Sequence, residues 1–162
     1  MAMQAGVTTF ANTGEFLGGR GTKKPRAKTL PPSVMAKSRS MVLSMMRTGD
    51  WSGANGRDYV ALFQILHERV YGVPASELDS HGCFFAAGMA AQLVDRQFGG
   101  DPGAMVQYMR WVWEREVGRE KWRRENPDQS RGGRIGYRAL LTGSYFLTDY
   151  RIDAQRRKAK GL

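Results

Sequence analysis

Four consecutive residues, Gly99-Gly100-Asp101-Pro102, set a helix stop directly against a helix start. Glycine closes the last turn of a helix at little steric cost. Asp offers its side-chain oxygen to the free N–H groups of a new helix, and Pro at the first helical position gives up only an N–H that has no partner there. Helices are therefore predicted over 80–98 and over 101–126, with Ser80 or Asp79 capping the first and Pro127 ending the second. Met105, Val106, Met109, Val112, Trp113 and Val117 share one side of the second helix and form its expected buried stripe. Glu116, Glu120 and Arg123 occupy that side beyond Trp113, so the last two turns are expected to project from the core. The middle of the first helix, FFAAGMAA, is rich in small residues, which suits close packing in the core or self-association into a homo-oligomer.

Similar punctuation recurs upstream. Asn55 with Asp58 resembles a capping box, and Tyr59, Leu62, Phe63, Leu66 and Val70 follow one helical stripe before Gly72 and Pro74. Ser33 to Arg47 is a shorter amphipathic helix, capped by Ser33 after Pro31-Pro32 and stopped by Gly49. Its Met41, Met45 and Met46 give an adaptable apolar side suited to a protein partner or to the chain's own core. Downstream, Ile135, Tyr137, Ala139 and Leu141 alternate with Arg134, Gly136 and Arg138, a period of two that predicts a strand. Thr142-Gly143 would turn it into a second strand at 145–150; a short helix over 134–141 is the alternative.

The expected fold is mainly α: a bundle of three to four helices, with a basic C-terminal hairpin in a winged-helix-like arrangement. The divisions are a flexible basic arm at 1–32, the Met-rich helix and linker at 33–50, a core domain at 51–150, and a basic tail or helix at 151–162.

Charge narrows the partners. The chain of 162 residues carries a net charge of +10, and the charge is segregated. Residues 1–50 hold eight Lys/Arg against two acids, 51–108 three against six, and 109–162 fourteen against seven. A mildly acidic core between basic flanks suits a polyanion. Along the helix at 101–126, Trp111, Arg115, Gly118 and Trp122 fall on one line at about 100° per residue. Indoles stack on bases and guanidinium groups meet phosphates, so this line reads as a nucleic-acid stripe; a second hydrophobic contact, with the indoles covered by 134–147, is the competing reading.

The predicted phosphate contacts are Arg115, Arg119, Lys121, Arg123 and Arg124 at the helix end, then Arg131, Arg134 and Arg138, then Arg156, Arg157 and Lys158. Trp122 is the predicted stacking ring, and Lys23, Lys24, Arg26 and Lys28 add tail contacts. Met41, Met45, Met46 and Trp111 are the expected anchors for a protein partner.

No catalytic chemistry is evident. The chain has two histidines, and His81-Gly82-Cys83 has no second Cys/His pair to complete a zinc site. No phosphate-binding P-loop or nucleophile elbow occurs. Glu114, Glu116, Glu120 and Glu125 cluster, but Arg110–Glu114, Glu120–Arg124 and Lys121–Glu125 are helical ion pairs, so the acids read as a solvated face. No metal or cofactor is implied. The single Cys83, the absence of a secretory leader and the absence of a membrane-length apolar run suggest a cytoplasmic or nucleoid-associated protein.

The expected function is non-catalytic: a DNA- or RNA-binding accessory protein of the replication, recombination, phage or mobile-element type. The alternatives are an adaptor docking on a larger nucleic-acid machine, or a structural subunit of a nucleoprotein or virion assembly.

Overall fold

A computed structural model describes residues 29–75, 78, 80–129 and 132–161; the side chains of Ser80 and His81 are outside the description. Helix α1 is Pro32–Thr48, α2 Gly56–Tyr71, α3 Ser80–Phe98, α4 Pro102–Glu125, α5 Tyr137–Leu141 and α6 Leu147–Ala159, with a single 3-10 turn at Pro127–Gln129. No strand occurs among the described residues. The chain is thus mainly helical, as expected, but without the hairpin.

Local signals set most boundaries. The Asp101 carboxylate accepts the N–H of Gly103 at 2.8 Å and of Ala104 at 3.2 Å, and Pro102 opens α4. Asn55 accepts from the Arg57 N–H while Asp58 accepts from the Asn55 N–H, both at 3.0 Å, completing the capping box of α2. α1 differs from expectation: it starts at Pro32, and Ser33 is inside it. The Pro31 carbonyl, with no side-chain cap, accepts from Val34 and Met35.

α2 is the central helix and packs against α1, α3 and α4. Burial therefore extends beyond the single expected stripe: Val60, Ala61, Ile65, His67 and Tyr71 are buried along with Tyr59, Leu62 and Phe63. α2 and α3 approach so closely at Gly56 that a Cβ there would lie 2.2 Å from the Ala87 carbonyl oxygen. His67 is a core residue, its Nδ1 2.9 Å from the Val73 carbonyl oxygen. Cys83 is buried too, with its thiol donating to the Leu78 carbonyl.

The hairpin expectation fails for a physical reason. Ile135 is buried just ahead of α5, but within α5 the buried positions are Tyr137, Leu140 and Leu141, a helical spacing. The alternation omitted Leu140, which is fully buried; α5 packs on α3, and the Leu140 carbonyl accepts from the Tyr108 hydroxyl at 3.0 Å. Gly143, at φ 70°, then turns the chain into α6. A short helix forms instead, over Tyr137–Leu141 and not the whole of the alternative's 134–141.

Candidate functional site

α4 divides along its length. Its first half is core: Met105, Val106, Tyr108, Met109, Val112 and Trp113 are buried. Val117, expected on that stripe, is exposed, and Glu116 is buried in its place at 2% exposure.

Glu116 is the centre of a buried polar network. Its carboxylate accepts from the Tyr71 hydroxyl at 2.8 Å and from the Arg123 guanidinium. The same hydroxyl accepts the Ile135 N–H at 2.8 Å. Arg123 also pairs with Glu120 at 2.9 Å. Two acids thus neutralise Arg123, while Tyr71 ties the backbone of the 132–136 segment to α2 and α4. The sequence reading of Glu116 as part of a solvated face, and of Arg123 as a free phosphate contact, is corrected accordingly. Burial pushes the Tyr71 hydroxyl up to about 12, and the neighbouring Glu116 carboxylate adds to the effect. Tyr71 is therefore protonated and able to donate at neutral pH.

The 132–136 segment, held in this way, forms one side of an open groove of about 750 Å³. Arg115, Gly118, Arg119 and Trp122 line it from α4, Arg134 from the segment, and Tyr145 and Phe146 from the turn before α6. Trp122 is 48% exposed and Tyr145 is 72% exposed. Rings prop two of the cations: the Arg115 guanidinium carbon lies 4.6 Å from the Trp111 ring centre, and that of Arg134 lies 5.7 Å from the Tyr71 ring centre. Such contacts hold a long side chain in place without cancelling its charge.

The predicted site residues separate into groups. Arg115, Arg119, Trp122 and Arg134 converge on the groove, joined by the largely neutralised Arg123. Lys121 and Arg124 line a different depression, with Val70 and Val117 between α2 and α4. There Arg124 pairs with Glu120 at 3.2 Å, one of the expected helical pairs. Arg138 lies beside the Tyr137 ring on α5, outside the groove lining. Arg156, Arg157 and Lys158 are exposed on α6, with Arg157 paired to Asp153 at 2.8 Å. Arg131, Lys23, Lys24, Arg26 and Lys28 lie outside the described residues.

Trp111 is 6% exposed, so its role as a partner anchor is corrected. α6 covers it: its Nε1–H donates to Asp153 at 2.8 Å, and the Tyr150 ring meets it edge-on at 5.6 Å. That hydrogen bond, with help from Arg157, holds the Asp153 carboxyl below the ordinary carboxylate range. Met45 is likewise buried and Met46 half-buried, leaving Met41 exposed on α1.

Tyr145 is the groove residue that sequence reasoning missed. An aromatic pair, Tyr145-Phe146, directly after a glycine turn was the available signal, masked by its assignment to a strand. Among the described residues, no cluster of three or more His, Cys, Asp or Glu side chains is arranged to hold a metal ion. Likewise no helix is long and apolar enough to cross a membrane. No protein-family model, curated protein or solved structure matches the chain.

Proposed function

We propose that this protein binds nucleic acid through the α4 groove and acts as a non-catalytic accessory protein. The observation that carries the reading is the convergence of Arg115, Arg119 and Arg134 with two exposed rings, Trp122 and Tyr145, around one concavity. Guanidinium groups neutralise phosphates and rings stack on bases, the pairing of chemistries that nucleic acid offers. The exposed cations of α6, Arg156 and Lys158, add sequence-independent attraction.

A second reading, an adaptor docking on a larger machine or a structural subunit, is favoured by the apolar side chains of Met41 and Leu43, both left exposed by α1. Affinity capture of the native chain from cells, with and without nuclease, separates the two. The first reading expects co-purified DNA or RNA that nuclease removes. A protein retained stoichiometrically after nuclease, with no nucleic acid beforehand, supports the second reading and overturns the first.

A further inference from the structure

Resting on the nucleic-acid reading above, we infer that the groove takes an unpaired, single-stranded segment and binds it without regard to base sequence. Three features of the site lead there.

The first is shape. Proteins that read a duplex commonly insert a protruding helix or ribbon into a major groove about 12 Å wide. Here the cations and rings line a depression between α4, the 132–136 segment and the turn before α6. A concave wall meets only the outer phosphates of a duplex, whereas a single strand is thin enough to enter. Gly118, Gly132 and Gly133 leave the lining without side chains, and a Cβ built on any of them meets nothing within 4 Å. The strand's backbone has room to approach at these points.

The second is the rings. Trp122 and Tyr145 come from different elements and remain 48% and 72% exposed. The Tyr145 ring is braced by Phe146, centroids 5.0 Å apart at 75°. Inside a duplex the base faces are already stacked on one another; only unpaired bases offer a face to a protein ring.

The third is the lining chemistry. Direct base readout uses Asn, Gln, Asp, Glu, Ser, Thr, Arg or Lys groups aimed at base edges. Among the described lining residues no Asn, Gln, Asp, Ser or Thr occurs, and the single acid, Glu116, is engaged by Tyr71 and Arg123. Of the groups that read base edges the lining keeps only arginines, which meet phosphates as readily, and the rings match any base. The site is thus built for single strands of mixed sequence.

The test uses the native full-length chain with labelled oligo-dT, oligo-U and a mixed-sequence single strand, against a hairpin duplex of equal phosphate number, at low salt. Fluorescence anisotropy should show single strands of either backbone, of uniform or mixed sequence, binding tighter than the hairpin by roughly the 5- to 150-fold that one stacked base contributes. Trp122→Ala and Tyr145→Ala should each weaken single-strand binding by a factor in that range and leave hairpin affinity unchanged. Both positions are exposed, so native melting curves for the variants separate loss of contact from loss of fold. Equal or tighter hairpin binding, or variants that alter neither substrate or both alike, overturns the single-strand inference while nucleic-acid binding stands. Strong preference for one base overturns its sequence-independent half. Absence of binding to every probe removes the nucleic-acid reading itself, and this inference with it.

Discussion

Replacing Tyr71 with Phe removes one oxygen and leaves the ring, which isolates the hydroxyl's contribution from the support the ring gives Arg134. Two contacts disappear. The N–H of Ile135, a buried residue, loses the acceptor it meets at 2.8 Å, and Glu116 loses a donor at 2.8 Å while keeping Arg123. A buried donor left unsatisfied costs about 1–3 kcal/mol, and a hydrogen bond to a charged acceptor is worth about 1.5–3 kcal/mol. Arg123 compensates for part of the second loss, so the net cost is about 2–3 kcal/mol. For a chain of this size each kcal/mol lowers Tm by roughly 2–4 °C, giving a fall of about 4–12 °C. Differential scanning calorimetry measures it, with Tyr145→Phe as the control: its hydroxyl is on an exposed residue, and the change should stay within about 0.5 kcal/mol. Because the hydroxyl also anchors the 132–136 side of the groove, oligonucleotide affinity should drop in parallel. A Tyr71→Phe variant as stable as the native chain would refute the role given to this network.

Other outcomes follow from the same geometry. Gly118→Leu places a side chain into the open groove from a helical glycine with nothing near its Cβ; it should abolish oligonucleotide binding while raising stability by up to about 1 kcal/mol through helix propensity, both read from one melting and titration series. Gly56→Ala drives a methyl into the Ala87 carbonyl and should cost about 1–3 kcal/mol by urea denaturation, because the obstruction is backbone. Burial, first of all, pushes Tyr59 and Tyr71 up to about 12 from the ordinary 10. The unfolded chain ionises these groups near pH 10 while the folded chain keeps them protonated, so their stabilisation is complete below pH 10. It declines as pH rises from 10 to 12, by about 1.4 kcal/mol per pH unit for each tyrosine. Tyr71→Phe should flatten that decline in an alkaline unfolding series.

Helix boundaries were legible because their causes are local: Asp101-Pro102, Asn55 with Asp58, and Gly49 and Gly72 act within one turn of the chain. The 134–150 region was not legible, because Leu140 owes its burial to α3 and α4, and a count of alternating residues registers nothing of those neighbours. Part of the site followed from helical phase alone, which set Trp111, Arg115, Gly118 and Trp122 on one line of α4, the last three of which line the groove. Phase did not reveal that Glu116 sits under the 132–136 segment and draws Arg123 inward, since that depends on Tyr71, 45 residues earlier in the chain. Nor did it show that Trp111 lies beneath α6. The opposite wall, with Tyr145, depended on the turn at Gly143, and the hairpin expectation displaced it.

The groove's role is tested most directly by the salt dependence of single-strand binding in the native chain and in Arg119→Ala/Arg134→Ala. Each phosphate neutralised on a single strand contributes a slope of about −0.7 in log affinity against log salt, so three groove cations give a slope of at least about −2 in magnitude, and the double variant should lower that magnitude by about 1.4. A double variant that binds with the native affinity and the native slope would show that the strand does not lie in this groove.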